Sequence, residues 1–163
     1  MLLNDPIEIL LVEDDPDDLE LTLHALTEER VCNRIQVARD GEEALDFLFC
    51  RGPFSQRDPH CPPKLILLDL KLPKVDGLEV LEQIRRDPRT RALTVVILSS
   101  SKGEQDRIQG YRLGVNSYIQ KPVDFDQFRR TIKQVGYYWL VVNQPPPQPA
   151  FDLGAQDEIL SRG

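Results

Sequence analysis

The chain of 163 residues is poor in everything that would mark a secreted, membrane-bound or nucleic-acid-coating protein. It holds three cysteines, Cys32, Cys50 and Cys61, an odd and unpatterned set that argues against a disulfide framework. It has two histidines, His24 and His60, and the His60-Cys61 pair lacks a second pair of ligands at zinc spacing, so both histidines read as ordinary helix and loop residues. No stretch approaches the ~18 consecutive apolar residues of a membrane span, and Met1 to Pro6 carries no basic, apolar secretory start. The expectation is a cytoplasmic protein that engages no membrane. Positive charge is also in deficit: 20 Lys+Arg against 27 Asp+Glu give a formal net charge of −7, which disfavours nucleic acid as a partner because phosphate-binding surfaces need dense basic patches. No glycine-rich phosphate loop follows the first apolar run and no Gly-x-x-x-x-Gly-Lys occurs, which removes the main signature of a nucleotide-binding module.

What is present is one domain's worth of patterned sequence. Hydrophobic residues make up 40% and charged residues 29%, ordinary values for a globular chain, and at roughly 150 residues per domain there is no room for a second full module. Five short apolar runs alternate with five longer segments. The runs Ile7-Glu-Ile-Leu-Leu-Val12, Leu65 to Leu68 and Val95 to Leu98 are aliphatic apart from Glu8, as strands buried on both faces of a parallel sheet are. Arg34 to Ala38 and Ser117 to Gln120 are shorter and mixed. Between them, Leu19, Leu23 and Leu26, then Ala44, Leu45 and Leu48, then Leu81 and Ile84, and last Phe125, Phe128, Ile132, Val135 and Trp139 recur at helical spacing. Asp15, Asp40 and Asp124 stand where helix N-caps are needed. The pattern predicts an α/β fold, a doubly wound five-stranded parallel sheet flanked by five helices.

In such folds the functional crevice opens at the carboxyl ends of the strands. The residues that follow the runs are Glu13, Asp14 and Asp15 after the first, Asp69 after the third, Ser99 and Ser100 after the fourth, and Lys121-Pro122 after the fifth. Carboxylates converging from two strand ends repel one another unless a cation joins them, and hard oxygen ligands suit Mg²⁺. Asp17 and Asp18 are explained by the helix macrodipole as a solvated helix start, whereas Asp69, directly after four aliphatic residues, is not. Lys121 supplies an ammonium able to meet a phosphoryl oxygen, and Ser99 a hydroxyl. Together these groups suit in-line phosphoryl transfer onto the Asp69 carboxylate.

The segments Ile9-Leu-Leu-Val-Glu-Asp-Asp15, Leu68-Asp-Leu-Lys-Leu-Pro-Lys-Val-Asp-Gly77, Val96-Ile-Leu-Ser-Ser100 and Gly114-Val-Asn-Ser-Tyr-Ile-Gln-Lys-Pro122 resemble, in order and spacing, the receiver domains of two-component response regulators, which are flavodoxin-like. The resemblance implies that Glu13, Asp14 and Asp69 serve Mg²⁺ with the backbone carbonyl of Lys71. It implies that Asp69 is the phosphoacceptor, Lys121 the ammonium on the phosphoryl group, Ser99 the switch hydroxyl and Tyr118 the aromatic that follows it. It also implies a cis peptide at Lys121-Pro122. On the residues alone, Tyr118 reads sooner as a half-buried core residue than as a switch, Asp15 as a cap, Asp76-Gly77 as a turn into the third helix, and Lys71 and Lys74 as rim charges.

The Pro-rich connection from Arg51 to Pro63 is long for an α/β unit, and the last helix runs into Tyr137-Tyr-Trp-Leu-Val-Val142 and Pro145-Pro-Pro147. Both are similar to single-domain response regulators paired with cyanobacterial and other bacterial phytochromes, which implies a sensor histidine kinase of phytochrome type as partner. Apolar residues at six consecutive positions surround a helix, so a homodimer through the fourth helix, fifth strand and fifth helix is expected, with Tyr138, Leu140 and Val141 contributing; the alternative is that this end folds back as extra intramolecular core. The domain is expected over residues 7–142, with residues 143–163 as a Pro-rich tail too short and too little basic for a DNA-binding output domain. The protein is expected to act as a signalling switch, not as an enzyme in the ordinary sense, catalysing only its own phosphorylation and dephosphorylation. A phosphohydrolase of the haloacid-dehalogenase type also uses an aspartyl phosphate, but places its nucleophile in an Asp-x-Asp after the first strand. Here that strand is followed by Glu13-Asp14-Asp15-Pro16.

Overall fold

A computed structural model describes residues 7–28, 34–122 and 124–147. Its elements in chain order are β1 (Ile9–Val12), α1 (Pro16–Thr27), β2 (Ile35–Ala38), α2 (Gly41–Leu48), a single 3-10 turn (Gly52–Phe54), β3 (Leu65–Leu68), α3 (Gly77–Arg86), β4 (Val95–Ser99), α4 (Glu104–Arg112), β5 (Ser117–Gln120) and α5 (Phe125–Tyr137). A π-helical turn (Tyr138–Val142) prolongs α5. The five strands are all parallel in the order β2-β1-β3-β4-β5. The fold is the doubly wound α/β sheet that the apolar runs predict, and the strand order reverses between β1 and β3.

The side-chain alternation of the strands distributes the core to both faces. Leu10, Val12, Ile66, Leu68, Val95 and Ile97 pack with Ala44, Leu45, Phe47 and Leu48 of α2 and Val80, Leu81 and Ile84 of α3. Ile9, Leu11, Leu65, Leu67, Val96 and Leu98 pack with Leu19, Ala25 and Leu26 of α1 and Phe128, Ile132 and Val135 of α5. Burying each of these larger side chains stabilises the fold by roughly 1.5–3 kcal/mol. Gly136 lets α5 lie close to α1, since an added Cβ would stand 3.0 Å from Leu26 Cδ2. The caps fall where expected: Asp15 accepts from the N–H groups of Asp17 and Asp18, Asp40 from Glu43, Asp76 from Leu78, and Asp124 from Gln127.

Three expectations are corrected. Phe125 does not join the buried stripe of α5: as the first residue after the Asp124 cap it is 55% exposed, and the inward face begins at Phe128. The six-residue apolar run does not simply surround a regular helix. With the wider π turn, Trp139 and Leu140 pack against the core, while Tyr137, Tyr138, Val141 and Val142 stay exposed. The Lys121-Pro122 peptide is trans, as are all peptide bonds among the described residues, and in that form it delivers the Lys121 ammonium to the strand-end carboxylates.

The long connection after α2 has a fastening of its own. The Arg57 guanidinium stacks 4.3 Å over the Phe47 ring and donates to Phe47 O (3.1 Å), Cys50 Sγ (3.0 Å) and Cys61 O (3.0 Å). Phe54 meets Phe47 edge-on at 5.3 Å. His60 and Cys61 are exposed loop residues, and Cys50 and Cys61 are free thiols. Cys32 and residues 148–163 of the expected tail lie outside the described residues.

Candidate functional site

Strand register brings the acidic residues together. Val12 pairs with Leu68, so the next residues, Glu13 and Asp69, leave the sheet side by side where strand order reverses. The Glu13 N–H donates to Ala38 O (3.0 Å) and the Asp69 N–H to Val12 O (3.1 Å), which fixes both backbones. Glu13 and Asp69 are buried, and Asp14 is exposed at the rim. One ligand atom from each of Glu13, Asp14 and Asp69 lies within 4.8 Å of the others.

Lys121 closes the group from the far side of the sheet. β5 pairs with β4 so that Ser99 stands opposite Gln120, and the Lys121 N–H donates to Ser99 O at 2.7 Å. Its side chain, 8% exposed, carries Nζ to Glu13 Oε2 (2.9 Å), Asp18 Oδ2 (2.9 Å) and Asp69 Oδ2 (3.1 Å). Three carboxyl groups, those of Glu13, Asp18 and Asp69, therefore share one ammonium, with Asp14 beside Glu13 and Asp69 at the rim. Burial pushes the Glu13 carboxyl up to about 8, and the neighbouring Asp69 charge adds to it against the partial relief that Lys121 gives. For Lys121, burial acts to lower the ammonium's pKa, but the Asp18 hydrogen bond and the charges of Asp69 and Glu13 outweigh it and hold it above the usual lysine range. The arrangement is over-supplied with negative charge, the condition under which a divalent cation binds.

The remaining sequence-predicted residues frame this centre. The Lys71 N–H points to Asp69 Oδ1 at 3.4 Å, which places its backbone in the loop directly beside the carboxylate. Lys74 reaches Asp40 (3.5 Å) and Glu42 (3.7 Å) and is a rim charge. Gly77 begins α3 directly behind the Asp69 loop, and an added Cβ there would overlap the Asp69 carbonyl oxygen. Ser99 ends β4, buried, and its Oγ accepts the Ser101 N–H at 3.0 Å. The Ser101 hydroxyl in turn donates to Asp106 in the first turn of α4 (2.7 Å). Tyr118 is half-buried on β5 with its ring under Gly110 of α4, and its hydroxyl is buried without a hydrogen-bond partner among the described residues. Ser99 thus ends β4 bonded to the segment that leads into α4, and Tyr118, two residues before the end of β5, packs against α4.

A family model described as the response regulator receiver domain matches residues 9–133. The chain belongs to that family. Among solved structures, the receiver is similar to the phosphorylated cyanobacterial phytochrome response regulator RcpA, with 38% identity and a TM-score of 0.81 over 88% of this chain and 100% of that one. It is similar to the Mn²⁺-bound form of Rcp1, a response regulator of Synechocystis sp., at 35% identity and a TM-score of 0.80 over 87% and 100%. It shares 49% identity with the bacteriophytochrome response regulator AtBRR over 86% of this chain and 99% of that one, with a TM-score of 0.67.

The sequence missed one residue of this receiver's charged centre. Asp18 reads as a helix-start acid indistinguishable from Asp17, yet its carboxylate is on Lys121, 103 residues away in the chain. The usable signal is that the first turn of α1 follows directly on the strand-end acids, so one of its side chains must turn to the crevice.

Proposed function

We propose that this receiver is a single-domain response regulator that accepts a phosphoryl group on Asp69 from a sensor histidine kinase, with Mg²⁺ as the cofactor. The observation that carries the reading is the buried Asp69 carboxylate held beside Glu13 and Lys121 at the sheet's reversal point. A carboxylate oxygen of Asp69 attacks phosphorus in line, the bond from phosphorus to the donor's histidine nitrogen breaks, and that nitrogen keeps the electron pair. Lys121 then donates to a phosphoryl oxygen. Glu13, Asp14 and Asp69, with the Lys71 carbonyl, are the residues to hold Mg²⁺, and their hard oxygens in an excess of negative charge fit it. When bound, the ion offsets charge on the transferring phosphoryl oxygens.

The added negative charge and acceptor oxygens on Asp69 attract the Ser99 O–H, while the Ser99 oxygen accepts the Ser101 N–H. Drawing Ser99 inward loosens the tie to Asp106 and α4 and frees space for the Tyr118 ring, whose hydroxyl has no bond to lose among the described residues. The likeness to RcpA and AtBRR supports a phytochrome-type kinase as donor and a cytoplasmic setting. Residues 7–142 are taken as the receiver, and its output as a change of binding surface. Exposed Ile108 and Tyr111 on α4, Phe125 at the start of α5, and Tyr138 and Val141 support self-association with a second copy across this side of the molecule. Val141→Asp should then shift the sedimentation mass toward the monomer. A wild type that is monomeric both with and without phosphate would contradict the dimer.

Incubation with Mg²⁺ and acetyl phosphate, followed by intact-mass measurement, tests the acceptor. The wild type should gain one phosphoryl group and Asp69→Asn none; equal labelling of both would refute the assignment.

A further inference from the structure

An ammonium has three N–H donors, and Lys121 has all three engaged, on Glu13 Oε2, Asp18 Oδ2 and Asp69 Oδ2. While the phosphoryl donor approaches and Asp69 is still a carboxylate, Lys121 can donate to the incoming phosphoryl group only if one of these bonds opens. Burial decides which. The Glu13 and Asp69 side chains are 5% and 9% exposed, so withdrawing the ammonium from either leaves a buried carboxyl group without its partner and away from water. The Asp18 side chain is 36% exposed, and its carboxylate can return to solvent at far lower cost. Its place is nevertheless fixed: the Asp18 N–H is held by the Asp15 cap at 3.1 Å, and the Thr22 hydroxyl donates to the Asp18 carbonyl at 2.7 Å.

We propose that Asp18 is the exchange partner of Lys121: it holds the ammonium in the unphosphorylated protein and surrenders that N–H to the phosphoryl group, setting how readily Asp69 is phosphorylated. The inference rests on Asp69 being the acceptor. With acetyl phosphate as donor, the bond from phosphorus to the acetyl oxygen breaks and acetate leaves with the electron pair. The bond from Asp69 to phosphorus forms, and no proton is consumed. The Lys121 N–H passes from Asp18 Oδ2 to a phosphoryl oxygen, leaving Asp18 as a hydrated anion. Asp18 touches neither phosphorus nor leaving group. It is a positioning residue acting through Lys121.

Asp18→Asn keeps the side chain's size and an acceptor oxygen but weakens its hold on the ammonium, because a charge-assisted bond becomes an ordinary one. The test measures the second-order rate constant for phosphorylation of the full chain by acetyl phosphate, read by intact mass, in wild type, Asp18→Asn, Lys121→Met and the double variant. The expected result is a rate about three- to tenfold higher in Asp18→Asn, the span that the loss of one strong hydrogen bond allows. In the Lys121→Met background the same change should have little effect. A second readout needs no metal or donor: in chelator, Asp18→Asn should lower the urea midpoint of the wild type but not of Lys121→Met. An unchanged rate in Asp18→Asn, or an equal gain with and without Lys121, would overturn the exchange. A wild type that takes no phosphoryl group would instead remove the acceptor assignment itself, and the exchange with it.

Discussion

Replacing Lys121 by Met keeps the side chain's length and removes its charge from among three carboxylates at 2.9, 2.9 and 3.1 Å. Removing one partner of a buried ion pair costs about 3–5 kcal/mol, because a buried charge is left without compensation. Asp18, a third exposed, adds less to that figure than the two buried groups because water screens it. The loss comes from Glu13 and Asp69, and it depends on pH. Glu13 already sits near 8 with Lys121 in place, and without the ammonium it binds its proton more tightly still. Near pH 6 a proton on Glu13 takes over part of the lost charge. Near pH 9 the wild-type Glu13 is ionised against Lys121, whereas in the variant it either holds its proton against the solvent or stands as a bare buried charge. Lys121 itself stays charged throughout this range, its pKa being held above the usual lysine value, so the pH dependence belongs to the carboxylates. The folded variant binds more protons than the unfolded chain, so its stability falls as pH rises, more steeply than that of the wild type. Urea unfolding in chelator, followed by the fluorescence of the single tryptophan, Trp139, measures this directly. A loss of about 3–5 kcal/mol at pH 9 that shrinks at pH 6 is expected, with Mg²⁺ at a hundred times its Kd restoring about 2.7 kcal/mol. A loss below about 1 kcal/mol, the same at both pH values, would refute the buried three-carboxylate contact.

Two further predictions concern the same crevice. In metal-free wild type, Glu13 is raised from 4.5 to about 8, so its contribution to stability is complete below 4.5 and is lost as pH rises through 8. Glu13→Gln should flatten that slope in a pH series of urea midpoints; an unaltered slope would assign the titration to another group. Gly77→Ala should destabilise by about 1–3 kcal/mol and slow phosphorylation, because its Cβ would displace the Asp69 carbonyl and the Leu70 backbone. Wild-type stability and rate in that variant would show that the start of α3 does not brace the acceptor loop.

The parts of this molecule legible in its sequence are those where one physical requirement acts alone. Strands β1, β3 and β4 are covered on both faces, so they must be continuously aliphatic, and their ends could be read to within about two residues. The acidic caps are local, since Asp15, Asp40 and Asp124 bond to N–H groups two or three positions on. Asp69 stood out because an acid directly after Leu65 to Leu68 has no structural excuse. What stayed hidden depends on register between distant elements. Asp17 and Asp18 differ only in which one α1 turns toward Lys121. The Arg57 fastening joins residues 47, 50 and 61 through one guanidinium, and no periodicity announces it. Phe125 fits the helical spacing of α5 but precedes the point where the helix meets the sheet, and the π turn after Tyr137 redistributes an apolar run that spacing alone leaves unresolved.

The central claim is that the buried carboxylate of Asp69, and no other acid of the crevice, receives the phosphoryl group. Borohydride converts an aspartyl phosphate to homoserine, so reduction after phosphorylation, followed by peptide mapping, locates the acceptor to a residue. Homoserine at position 69, dependent on Mg²⁺ and absent when acetyl phosphate is omitted, is the predicted result. Homoserine at position 14 or 18, or none at all in a protein that has gained phosphate, would contradict it.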